Sequence, residues 1–153
     1  MIIKDFQLNK IILENNNFLC LLLYGPNEGL IREQVNKIIK HFNSKHNFEP
    51  LSLNGKEIDE DDCAIDTSLK TVSMFYKGKI LVLETIKDKH LPIIEQVIED
   101  IPDQSVIIIK SENLTKSSKI RKFFENHKFC YSLACYEDDR KSLIQNLESF
   151  ILK

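Results

Sequence analysis

The residues best placed by type and spacing to do chemistry are Gly25-Pro26-Asn27-Glu28-Gly29, which interrupt the apolar run Phe18 to Tyr24 just before a stretch of helical periodicity. A strand, a glycine turn and a helix, in that order, build a phosphate-binding loop. Backbone N–H groups surround the phosphates, a Lys reaches the outer ones and a Ser or Thr hydroxyl holds Mg²⁺, in the pattern G-x-x-x-x-G-K-[ST]. Here Gly25 and Gly29 stand one residue too close together, Leu30 and Ile31 occupy the Lys and hydroxyl positions, and Glu28 adds a carboxylate that repels phosphate. The segment reads as a tight turn, a degenerate phosphate loop, and no bound cofactor or metal is expected.

The other candidate groups are weaker. His41, His46, His90 and His127 lie on or near expected helices, away from the strand ends, and read as surface histidines, which leaves a Ser or Cys nucleophile without a base. Cys20, Cys63, Cys130 and Cys135 form no C-x-x-C pair and read as reduced, small apolar side chains. Cys130 and Cys135, five apart in an expected strand, should face opposite sides. The acidic run Glu57 to Asp62 lacks the glycine of a calcium loop and reads as the solvated start of the helix carrying Ile65, Leu69 and Val72. Lys110 to Lys128 is the most basic part of the chain. Lys116, Lys119, Arg121 and Lys122 are its candidate DNA-facing residues, although aromatic residues for stacking on bases are not interleaved and a solvated helix face explains the run as well. Val72, Met74 and Phe75 close a helix whose earlier turns already feed the core. Taken by residue type alone they favour core packing, while a Met beside a Phe at a helix end also suits insertion into a partner's apolar pocket.

The elements that must position these residues alternate. Phe18 to Tyr24 has no period of two, as expected of a strand covered on both faces, and Ile31, Val35, Ile38, Ile39 and Phe42 follow on one helical face with Asn27 as N-cap. A short helix with Leu8, Ile11 and Ile12 precedes this unit. Further strands are expected at Glu49 to Asn54, Ile80 to Glu84, Ser105 to Lys110 and Phe129 to Cys135. They alternate with helices carrying Leu91 to Ile101, Ile120 to Phe124 and Leu143 to Ile151. The fold class is therefore α/β, three layers, with a parallel sheet of about five strands, helices on both faces and right-handed crossovers. Ligands in such sheets sit beyond the carboxyl ends of the strands.

At 153 residues, 42% hydrophobic and 29% charged, the chain fits one globular domain or a domain with the start of a second. A net charge of -2 and a pI near 6.1 give no global attraction to nucleic acid or to an anionic membrane. With no run of roughly 20 apolar residues and no signal-peptide pattern at MIIKDFQLNK, no membrane association and a cytoplasmic location are expected.

Four blocks in order, LLLYGPNEGLIRE, TVSMFYKGKILVLE, SENLTKSSKIRKFFE and LACYEDDRKSL, resemble the N-terminal domain of the delta subunit of bacterial DNA polymerase III, the clamp-loader subunit that opens the sliding clamp. No single block is a strict signature; the ordered set is specific. The resemblance implies a P-loop NTPase-like domain of the AAA+ clamp-loader type that has lost nucleotide binding and is not itself an enzyme. It implies that Val72, Met74 and Phe75 grip the sliding clamp, with Met74 standing where Leu is common, a volume-conserving change. It implies a nucleotide-binding-like domain over 1–137 and, over 138–153, a helix leading towards a second domain absent from this chain. The remaining clamp-loader subunits would be reached through regions absent here, and DNA through the assembled complex. The readings that compete with it are a P-loop nucleotide enzyme and a generic doubly wound scaffold or signalling domain.

Overall fold

The computed structural model describes residues 1–14, 18–71 and 73–136, and the expected helix over 138–153 lies outside the described residues. In chain order the elements are β1 (Ile2–Ile3), α1 (Asp5–Glu14), β2 (Phe18–Tyr24), α2 (Glu28–His46), β3 (Phe48–Asn54), α3 (Gly55–Glu60) and α4 (Ala64–Lys70). They continue with β4 (Gly78–Glu84), a 3-10 turn (Asp88–His90), α5 (Leu91–Glu99), β5 (Ser105–Lys110), α6 (Lys119–Asn126) and β6 (Cys130–Ala134).

The strands form one sheet in the order β1-β6-β2-β5-β4-β3, and every pairing is parallel. The sheet has six strands where about five are expected. The extra one, β1, is two residues long, too short to show a period in the sequence. It is held at the edge by pairing Ile2 with Ser132 and Ile3 with Leu133.

Alternate residues of β2 feed opposite cores, which is why its sequence reads as a continuous apolar run. Leu19, Leu21 and Leu23 point to the side covered by α1 and α2, where Leu8, Ile11, Ile31, Val35, Ile38 and Phe42 complete one core. Cys20, Leu22 and Tyr24 point to the side covered by the other four helices, through Ile58, Ile65, Ile94, Ile98, Ile120 and Phe124. Cys130 and Cys135 belong to opposite cores, as their spacing requires.

Two local expectations fail. The acidic run does not open the helix of Ile65 and Leu69. Asn54 caps a separate helix, α3, accepting from the Glu57 N–H at 3.0 Å, and the chain breaks at Asp61 before α4 begins. That second helix ends at Lys70 rather than running through Val72 to Phe75, and Val72 itself lies outside the described residues.

Candidate functional site

β2 and β5 are neighbours whose following helices, α2 and α6, lie on opposite faces, so a crevice opens at the carboxyl ends of these strands. It is a cleft of about 830 Å³ whose walls include Gly25, Glu28, Arg32, Asp88, Ser111 and Ser117. Lys110 at the end of β5 and Glu84 at the end of β4 both line it and pair across it at 3.1 Å.

The turn Gly25 to Gly29 borders this cleft, but its donors point elsewhere. The Asn27 N–H donates to Cys135 O at 3.1 Å, the Glu28 N–H to Pro26 O at 3.1 Å and the Ile31 N–H to Asn27 O at 3.1 Å. The Leu30 N–H donates to the Asn27 side-chain oxygen at 3.1 Å, the N-cap expected from the sequence. Asn27 Nδ2 reaches Tyr136 O at 3.3 Å, and the Cys135 N–H closes onto Tyr24 O at 2.6 Å. The turn is thus laced to the end of β6. Gly25 makes this approach possible: its φ is +134°, and a Cβ there would overlap the Cys135 carbonyl, standing 2.6 Å from its carbon.

On the other wall, Asp88 Oδ1 accepts from the Ser118 hydroxyl at 2.9 Å and from the Ile120 N–H at 3.3 Å, and Ser118 caps α6. Burial works against ionisation of Asp88, yet the backbone N–H groups of Ile120 and Lys119 and the Ser118 hydroxyl outweigh it and hold the carboxyl below its ordinary value.

His90 departs from the sequence reading. It is 2% exposed rather than on the surface, and it closes the segment that follows β4. Its Nδ1 accepts from the Lys87 N–H at 3.0 Å, so Nε2 carries the proton and donates to Asp59 Oδ1 at 2.9 Å. Sequence could not show this, because a histidine following Asp-Lys gives no hint that Asp59 of α3 folds against it. Lys89 and His90 together hold the Asp59 carboxyl below its usual range. The ring ties α3 to the 3-10 turn, with both nitrogens already engaged.

Two cysteines are also unsuited to nucleophilic work. Burial and the neighbouring Cys130 thiol raise Cys20 well above the ordinary thiol range, and burial, with the Asp5 carboxylate nearby, pushes Cys135 up to about 12. Cys20 and Cys130 are in-register neighbours on adjacent strands, a pairing no spacing rule would find.

The basic residues divide. Lys116, Lys119 and Lys122 are exposed. Arg121 turns inward: its Nε donates to Glu125 at 2.7 Å, its Nη1 to Leu114 O at 2.9 Å, and its guanidinium lies 5.0 Å from the centre of the Tyr24 ring.

At the opposite end of the sheet, the loop between α4 and β4 carries the two most exposed of the large apolar side chains that the core leaves out. Met74 is 95% exposed and Phe75 82% exposed, so the core-packing reading of these two fails. The loop is held in shape. Asn47, just past the end of α2, adopts the left-handed conformation at φ 57° and ψ 47°, donates from Nδ2 to Phe75 O at 2.8 Å and accepts at its own carbonyl from the Lys77 N–H at 3.0 Å.

The comparison with known proteins decides the family. The family described as DNA polymerase III, delta subunit, matches residues 21–133. This chain belongs to that family. A probable DNA polymerase III subunit delta of Rickettsia prowazekii is 28% identical over 129 residues, 80% of this chain and 36% of that protein. Among solved structures, the Bacillus subtilis DNA clamp loader delta protein superposes with a TM-score of 0.69 at 17% identity, covering 97% of this chain and 48% of that one. The chain thus spans less than half the length of each of these delta proteins. The fold shared with the clamp loader protein is the α/β domain with an all-parallel sheet. No helix among the described residues is long and apolar enough to cross a membrane.

Proposed function

We propose that this delta-family chain is the clamp-engaging domain of a clamp loader: it binds the DNA sliding clamp through the loop after α4 and helps to open the ring. The observation that carries this reading is the side-by-side exposure of Met74 and Phe75 on a loop fixed by hydrogen bonds. A monomeric fold seldom leaves two large apolar groups together in water without a use for them, and a Met-Phe pair offers broad, adaptable area to an apolar pocket. Val72 belongs to the same proposed contact.

The domain works without nucleotide. The turn that would hold phosphates has donated the N–H groups of Asn27, Glu28, Leu30 and Ile31 within the protein, and Leu30 and Ile31 bring no cation or hydroxyl. Its contribution to loading is binding, and any ATP-driven step falls to other subunits. In this reading residues 1–137 make up the clamp-engaging domain, and contact with the other subunits belongs to regions outside it. DNA approaches through the assembled complex, on the side of Lys116, Lys119 and Lys122.

Burying two such side chains is worth roughly 1.5 to 3 kcal/mol each before ordering costs. Replacing Met74 and Phe75 together with Ala should therefore weaken binding to the sliding clamp of the same cell by about a hundredfold or more, while the melting temperature stays near that of the parent. Surface plasmon resonance on immobilised clamp, with thermal melts of the same variant, makes the test. Unchanged binding, or a melt many degrees lower, would sink the assignment.

A further inference from the structure

We infer that Asn47 is the positioning residue of the clamp-binding loop, holding Met74 and Phe75 in the presented conformation before any partner arrives. The inference rests on the clamp-binding reading above and adds the residue that preorganises it. Three observations meet at Asn47. It sits at the C-cap of α2 in the left-handed region, where its own N–H closes the helix onto Phe42 O. Its side-chain amide donates to Phe75 O at 2.8 Å, which fixes the backbone of the residue whose ring is offered to solvent. Its carbonyl accepts from the Lys77 N–H at 3.0 Å, which fixes the far side of the same loop just before β4.

The geometry needs this residue type. Glycine fits the left-handed C-cap at least as well, and is the usual choice there, but it has no donor to send across. Aspartate matches asparagine in size and tolerates the same backbone, but it presents a carboxylate to a carbonyl and to the negative end of α2. Asparagine alone among the three combines a left-handed cap with an N–H donor reaching the loop. Inside the loop, the Phe75 N–H is taken by Ser73 Oγ at 3.3 Å. Asn47 therefore supplies the ties from the loop to a rigid helix, and ordering that need not occur on binding is affinity kept.

The test separates a cap from a positioning role. In Asn47→Gly the cap is retained or improved while the tie to Phe75 is lost, so the melting temperature should hold or rise while affinity for the sliding clamp falls about threefold to tenfold, the range for one neutral hydrogen bond. Nuclear magnetic resonance order parameters for residues 73–76 should fall in the free variant. A residue that merely stabilised the fold would move stability and binding in the same direction. Asn47→Asp, same in size, should likewise loosen the loop and weaken binding. Phe75→Ala is measured alongside. If it abolishes binding while both Asn47 variants bind as the parent does, positioning by Asn47 is wrong and the clamp-binding reading stands. If Phe75→Ala binds like the parent, the reading itself has failed and the proposal falls with it. Unchanged order parameters at 73–76 in Asn47→Gly would overturn the proposal whatever the affinities.

Discussion

The two glycines of the turn after β2 should respond to alanine in opposite ways, and the difference measures what that turn is for. Gly25 has φ +134°, a region L-residues rarely enter, and a Cβ there runs into the Cys135 carbonyl. That carbonyl belongs to backbone and cannot swing aside. It accepts from the Asn27 N–H at 3.1 Å, and the Cys135 N–H in turn donates to Tyr24 O at 2.6 Å. Forcing a methyl in costs about 1–3 kcal/mol for the backbone conformation, plus about 1 kcal/mol for each of the hydrogen bonds that must open. Gly25→Ala should therefore lose about 3–5 kcal/mol, near the top of the range for a point change. For a domain of this size that is a drop of about 6–20 °C, at about 2–4 °C per kcal/mol. Gly29 is helical, and the nearest atom to an added Cβ is Asn27 Oδ1 at 3.6 Å, an ordinary contact. Gly29→Ala should be neutral or stabilise by up to about 1 kcal/mol. Urea melts of both variants against the parent make the comparison. A Gly25→Ala protein within about 1 kcal/mol of the parent, or a Gly29→Ala protein as damaged as Gly25→Ala, would refute the picture of a turn laced to β6.

Titration of Asp88 should appear in the acid limb of stability. Its carboxyl is held below the ordinary 3.8 in the folded protein, so its contribution is present above that value and is lost as pH falls through the lower folded one. Asp88→Asn should lose about 1 kcal/mol at neutral pH and flatten part of the acid limb; chemical melts of the variant between pH 2 and 7 would show an undiminished limb if Asp88 does not titrate. Calorimetry with Mg-ATP should be silent, because the N–H groups of Asn27, Glu28, Leu30 and Ile31 are already engaged within the protein and Leu30 and Ile31 bring no cation or hydroxyl; a micromolar dissociation constant, about -8 kcal/mol, would overturn that reading.

The fold was legible because its signals are local. The unbroken apolar run of β2, the one-sided stripe of α2 and the N-cap at Asn27 each follow from a short stretch, and the structure keeps all three. What escaped needed distant partners. β1 has only two residues, and its strand character comes from β6. His90 is buried because Asp59, far away in sequence, meets its ring. The acidic run forms its own helix because Asn54 caps it, a stronger local instruction than the dipole preference of the next helix. At the candidate site, the missing Lys and hydroxyl were plain in the sequence, whereas the lacing of the turn to Cys135 and Tyr136 was not. Met74 and Phe75 looked like core residues by type. The family resemblance already singled them out, and the end of α4 at Lys70 and their exposure supply the physical reason, whereas the hold of Asn47 on the loop has no sequence signature at all.

Hydrogen exchange measured on the chain alone and with the sliding clamp of the same cell reads directly which surface meets the clamp. New protection should concentrate at residues 73–77 and at the adjoining end of α2, with the cleft walls at 25–32 and 111–118 unchanged. Protection at the cleft or along the exposed face of α6, with 73–77 exchanging as freely as before, would contradict the clamp-binding reading.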